Sequence, residues 1–198
     1  MATPWWASAR FWRFAAAGIT GGMAVVLVAL TIDTLADIRA GGRKVPAYTV
    51  INHRIAYRFD ESLNRQVPVV GPVAPLFGEK RSPEEARALV NRGKRIIQGR
   101  NCMNCHTLLG NGAYYAPDLT KSWLDPAWGS PQAREAMMVA FLQDPVAYGR
   151  GYGSERRMPD LGISESEARA IVAFLKWMAA IDTNGFPAHF PAMQQGGD

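Results

Sequence analysis

The sequence predicts a mainly α protein: one membrane-spanning helix, then a small β-hairpin insertion, then a helical domain. Three observations predict it. Phe14 to Ile32 is an uncharged, mostly apolar run between Arg13 and Asp33. Two later stretches, Ser82-Pro83-Glu84-Glu85 and Ser164-Glu165-Ser166-Glu167, carry the capping-box signature of a helix start. Between them stands Cys102-Met103-Asn104-Cys105-His106. Cys-x-x-Cys-His is the attachment sequence of a c-type haem. Its two thiols can each form a thioether to one vinyl group of a single porphyrin, and the His that follows can bind the iron. Cys102 and Cys105 are the two cysteines of the chain. A thioredoxin-like pair would want a βαβ pattern around the motif, and none is present. A zinc site would want two more ligands at ligand spacing, and His53 and His189 are too distant to supply them.

The chain carries 22 Lys+Arg against 17 Asp+Glu, a formal net charge of +5. Most of the excess falls before residue 81. The part that bears the haem motif is nearly neutral, with thirteen basic against twelve acidic residues. No basic stripe interleaved with aromatics occurs, which argues against nucleic-acid binding.

Taken in order, the apolar run Phe14–Ile32 is long enough for a hydrocarbon core of about 30 Å. Trp5, Trp6, Phe11 and Trp12 precede it, as an interfacial aromatic belt does. The competing reading is a cleaved signal peptide, whose apolar core is usually shorter. Basic residues flank the run on both sides, so charge does not orient it. Covalent haem is attached outside the bacterial inner membrane, which places the C-terminal part in the periplasm. Gly18 and Gly22 form a G-x-x-x-G pair, a weak hint of a neighbouring helix.

Residues 41–80 form a linker or small β insertion. Tyr48–Ile51 and Ile55–Phe59 are β-prone, Asp60–Asn64 reads as a turn, and Gln66–Val70 reads as a return strand that Pro68 confines to an edge. The competing reading is an extended linker. The haem domain spans 81–187 and a polar tail spans 188–198, with 1–40 forming the tip and anchor. In the first domain helix Ala86, Leu89, Val90, Gly93, Ile96 and Ile97 recur on one face. Ser130-Pro131 starts a middle helix with Ala133, Met137, Ala140 and Phe141 on one side, stopped at Asp144-Pro145. The last helix carries an apolar stripe from Ala168 to Ile181. Gly93 on an apolar face suits a close crossing by Phe174, Leu175 or Met178. A helix before the motif and another near the C-terminus, crossing at a Gly, resembles the class I cytochrome c fold.

His106 is the expected proximal ligand of the iron. Electron-transfer cytochromes commonly add a distal Met, which raises the reduction potential. Met158 is the candidate, because it lies in a Gly-rich loop (149–159) just before the last helix and is followed by Pro159. The remaining methionines sit in the span, the attachment loop, helices or the tail. Ligation by His53 or His189, or an open site, are the alternatives. Arg156 and Arg157 are candidates to pair with the haem propionates, against a reading as solvated side chains.

Two stretches carry a closer resemblance. Cys102 to Leu119 and Arg156 to Pro187 are similar to the haem-binding stretch, distal-Met loop and C-terminal helix of the cytochrome c subunit of bacterial nitric oxide reductase. The resemblance implies a membrane-anchored electron-transfer subunit without catalytic residues of its own. It implies one covalent haem c on Cys102 and Cys105, with His106 and Met158 as axial ligands. It implies electrons from a soluble periplasmic cytochrome c or cupredoxin, passed to haem b of a large polytopic subunit that reduces nitric oxide to nitrous oxide. It also places Gly112 and Tyr114 at the contact with that subunit, near a calcium ion. The segment Val45–Lys80 departs from the family pattern as an insertion. It keeps two alternatives open: a subunit of a related oxygen-reducing haem–copper oxidase, or a stand-alone membrane-tethered shuttle.

Overall fold

The computed structural model describes residues 4–149 and 156–187. His189, Met193, the 188–198 tail and the middle of the Gly-rich loop lie outside the described residues.

The apolar run lies within α1 (Ala9–Ile38), a helix of 30 residues with none buried against the rest of the chain. At 1.5 Å per residue it is about 45 Å long, enough to cross a bilayer core and emerge beyond it. Trp5, Phe11 and Trp12 cluster at its start, with the Trp5 and Phe11 rings 4.8 Å apart edge to face. Its far end is stapled to the chain that follows. Arg43 folds back to bridge Asp33 at 2.5 Å and Asp37 at 2.6 Å, and its backbone N–H reaches the Ala36 carbonyl. The next residues meet the last helix of the domain: Lys44 O accepts from Asp182 N at 3.0 Å, and Pro46 O accepts from Trp177 Nε1 at 3.2 Å.

Residues 48–79 are not an extended linker. The expected hairpin forms from β1 (His53–Asp60) and β2 (Arg65–Val73), antiparallel, with Ile55 opposite Val70 and Tyr57 opposite Pro68. In a two-stranded sheet both strands are edges, which is where Pro68 is tolerated. The β-prone run at Tyr48–Ile51 is a correction: Tyr48–Asn52 is a 3-10 turn. Tertiary packing decides this. Val50 and Ile51 are buried together with Ile55 and Leu76, and Tyr48 stacks on Trp177 with ring centroids 5.3 Å apart. The turn thus delivers two consecutive apolar side chains to one core, which an alternating strand cannot do.

Both capping boxes form, Ser82 with Glu85 at the start of α2 (Pro83–Gly99) and Ser164 with Glu167 ahead of the last helix. Between them come a short hairpin of β3 (Thr107–Leu108) and β4 (Asn111–Gly112), then α3 (Pro131–Gln143) and α4 (Glu165–Ala179). α2 and α4 cross at Gly93. A β-carbon there would meet the Ala170 carbonyl oxygen at 2.0 Å and Phe174 Cβ at 2.8 Å. Phe174, one of the expected partners, lies at the crossing together with Ala170.

The buried face of α3 differs from the expected one. Ala133 and Met137 are exposed, whereas Arg134, Met138 and Val139 are buried. Polar residues occupy the inner face because each has a partner there. The Arg134 guanidinium lies 5.5 Å over the Trp123 ring. Glu135 pairs with the buried Lys176 of α4 at 2.8 Å and accepts from Phe77 N at 2.8 Å. A buried pair of this kind is strongly destabilising to break from one side.

Candidate haem site

The motif lies on a single turn. Asn101, with φ 55°, turns the chain out of α2, and Cys102–Asn104 forms a 3-10 turn with Cys105 N donating to Cys102 O at 3.2 Å. Both thiols are half-buried and neither is in a disulfide. Burial pushes the Cys102 thiol above its ordinary range, so it stays protonated at neutral pH.

His106 is held by one ring nitrogen. Its Nδ1 lies 2.7 Å from Pro117 O. A carbonyl can only accept, so Nδ1 carries the proton and Nε2 keeps its lone pair for a metal. The loop that presents Pro117 is fixed in turn by Asp118. Thr107 Oγ1 donates to Asp118 Oδ2 at 2.6 Å, Thr120 N donates to Oδ1 at 2.7 Å, and Thr120 Oγ1 accepts from Leu109 N at 2.7 Å. Thr107 and Thr120 are fully buried. This is the outer support that keeps a ligating imidazole in one tautomer and orientation.

Gly112 has a local reason to be glycine. Its φ is 127°, and a β-carbon there would stand 2.3 Å from His106 O. The β3–β4 hairpin can therefore lie directly on the attachment loop, where Ala113 N also donates to Met103 O at 3.0 Å. Tyr114 is exposed, its hydroxyl donating to Gly110 O at 3.0 Å.

Cys102, Cys105, His106 and Met158 all line one cavity of about 360 Å³. Its walls are mainly apolar: Ile97 from α2, Leu119, Met138, Phe141 and Leu142 from α3, Leu161, and Ile171 and Leu175 from α4. Met158 is half-buried, in the loop ahead of α4. Arg156 and Arg157 are exposed residues that also line the cavity; Arg156 Nη1 donates to Tyr115 O at 3.1 Å and its guanidinium lies 5.0 Å over the Tyr115 ring. Two free thiols on one turn, an imidazole with an available nitrogen, a thioether sulfur and an apolar enclosure are a donor set that fits covalent haem. His53 is engaged elsewhere, its Nδ1 3.1 Å from Gly71 O on the hairpin.

Residues 90–179 match the family model for cytochrome c, which implies covalently bound haem c. The cytochrome c subunit of nitric oxide reductase from Stutzerimonas stutzeri is 34% identical over 111 residues, covering 56% of this chain and 73% of that protein. The chain belongs to the family of nitric oxide reductase cytochrome c subunits. The corresponding protein of Halomonas halodenitrificans is 33% identical over 100 residues, and that of Paracoccus denitrificans is 33% identical over 98. The chain spans 63% and 64% of those two proteins. It is thus a cytochrome of nitric oxide reductase type, mainly helical, with one N-terminal helix long and apolar enough to anchor it in a membrane.

Sequence reasoning missed several members of this family's site as built here. Asp118 and Thr120 stand two residues apart beside the motif, a spacing that favours side-chain-to-backbone bonds in a turn, and that signal was available. Tyr57 and Lys121 carried none, because their meeting at the end of α4 depends on the hairpin's packing.

Proposed function

We propose that this chain is the electron-entry subunit of a nitric oxide reductase. It takes electrons from a soluble periplasmic cytochrome c or cupredoxin and passes them to haem b of a large polytopic subunit, where nitric oxide becomes nitrous oxide. The observation that carries the reading is the shared cavity of Cys102, Cys105, His106 and Met158, within a chain of this family. When bound, haem c supplies a one-electron ferric–ferrous couple. The residues then divide the work. Cys102 and Cys105 hold the group covalently, and His106 Nε2 and Met158 Sδ fill the two axial positions. The Nδ1–H bond to Pro117 makes Nε2 a better donor. A filled coordination sphere leaves no position for a gas, so the chain relays electrons and does not itself reduce nitric oxide. The α1 helix is the single-pass anchor in the inner membrane, with the cytochrome domain in the periplasm.

Gly112 and Tyr114 are read by resemblance as the contact with the catalytic subunit, near calcium. Calcium takes six to eight oxygen ligands, and no group of three or more acidic, His or Cys side chains occurs among the described residues. On this reading the ion is shared, with most of its oxygens coming from the partner.

Purification of the tagged chain from its native membrane tests the proposal. It should bring a polytopic haem b protein with iron beside the active haem. Met158→Ala should abolish the sulfur–iron absorption band, lower the midpoint potential and slow donor-driven nitric oxide reduction. Copper beside the active haem would indicate an oxygen-reducing complex. A complex that turns over at the full rate without this chain would refute electron entry through it.

A further inference from the structure

The electron-entry role makes no use of Lys121, yet this residue is built into the cavity wall. It is 2% exposed and lines the cavity that holds Cys102, Cys105, His106 and Met158. Its Nζ donates to Ala179 O at 3.0 Å and to Ile181 O at 2.7 Å. These carbonyls lie at the C-terminal end of α4, where the helix dipole favours a cation. From the other side the Tyr57 ring stands 4.5 Å from Nζ, and the Tyr57 hydroxyl donates to the same Ala179 carbonyl. An amine with two carbonyl acceptors and an aromatic face is held in one place. It has also lost nearly all its water.

Those two facts oppose each other. The carbonyls and the ring favour the ammonium. Burial disfavours it and pushes the amine down to about 7, with Asp182 pulling the other way. Around it, Tyr57 comes from β1 and Asp182 follows α4, while Asp118, Asp125, Arg156 and Arg157 share the cavity wall. Asp118 is engaged by Thr107 and Thr120, and Arg156 by Tyr115. Lys121 is therefore the buried basic group of this wall that changes charge near neutral pH.

We propose that Lys121 is a proton-linked tuning residue: its ammonium favours the reduced state of the haem, and each electron taken up is accompanied by up to one proton at Nζ. The proposal rests on the reading that Cys102 to His106 carry haem. The ferric state holds one more positive charge than the ferrous state, so a buried cation in the same wall favours reduction. The coupling is reciprocal, and reduction favours the protonated amine. The step balances simply. One electron from a one-electron reductant turns ferric iron ferrous, and a proton from bulk water joins the neutral amine. No other bond forms or breaks.

The test is a spectroelectrochemical titration of the full-length haem-loaded chain in detergent, at pH values on both sides of neutrality. The midpoint potential of the wild type should fall as pH rises, with a slope approaching about 59 mV per tenfold drop in proton activity. Lys121→Met should give a lower potential without that slope. Lys121→Arg, which keeps its charge throughout, should be flat at the high end and serves if the Met variant does not fold. A flat wild-type titration, or either variant keeping the wild-type slope, overturns the role of Lys121. Covalent haem is checked separately from the reduced spectrum of the denatured chain. Its absence overturns the haem reading as well, whereas its presence with a flat titration overturns Lys121 alone.

Discussion

Gly93 of α2 lies directly on the backbone of Ala170 in α4: a β-carbon added to Gly93 would stand 2.0 Å from the Ala170 carbonyl oxygen. The contact is with backbone and cannot be relieved by rotating a side chain. Gly93→Ala should gain up to about 1 kcal/mol of helix propensity and lose more than that to overpacking, typically about 1–3 kcal/mol. The net result should be a lower denaturation midpoint, measured by helical circular dichroism in urea on the haem-loaded chain. A midpoint equal to or above wild type would show that the helices can separate freely.

The hairpin segment is part of the domain core. Ile51 and Leu76 are completely buried, and Ile55 nearly so. Ile51→Ala should therefore cost about 2–5 kcal/mol, as large-to-small core changes do. If 48–79 were a dispensable attachment, the same change would leave the urea midpoint of the domain within error.

Asp118 holds the loop that orients His106. Asp118→Ala leaves the buried Thr107 hydroxyl and the Thr120 N–H without their acceptor, at about 1–3 kcal/mol for each group left unsatisfied. The loop should also loosen its hold on the imidazole. Unfolding should shift together with the visible spectrum of the haem-loaded chain. A spectral change at unaltered stability would point to direct contact with the haem instead.

Glu167 gives an acid-side prediction. The Ser164 backbone N–H, then Arg100 and the Ser164 hydroxyl, hold its carboxyl down at about 2 against an ordinary 4.5. A depressed carboxylate contributes stability that is fully present above pH 4.5 and is lost as pH falls towards 2. Glu167→Gln should be less stable at neutral pH and should lose less on acidification across that window. Acid titration of the urea midpoint for the two proteins measures it, and parallel curves would contradict it.

What could be read from the chain alone was whatever is local. The two capping boxes, the attachment pentapeptide and the Gly93 crossing depend on residues a few positions apart or on a glycine whose only use is close approach. The errors arose where distant packing decides. Tyr48–Ile51 has the composition of a strand, but Val50 and Ile51 both enter the core and the backbone coils to allow it. In α3 the apolar marks Ala133 and Met137 pointed to the wrong face, because Arg134 and Glu135 find partners on Trp123, Lys176 and the Phe77 N–H. Nothing near these residues in sequence announces those partners. Lys121 was hidden for the same reason, since a lone lysine reads as solvated until Tyr57 and the end of α4 are brought to it.

The two bonds between the anchor's exit turn and α4, Lys44 O to Asp182 N and Pro46 O to Trp177 Nε1, have a mechanical meaning. With Arg43 clamped to Asp33 and Asp37, they make a rigid bracket from the end of α1 to the last helix of the domain. A module on a slack leash sweeps a volume and meets a neighbour by chance. A bracketed one keeps its height above the bilayer and the heading of its cavity, so the only diffusing body left in the encounter is the one that arrives from solution.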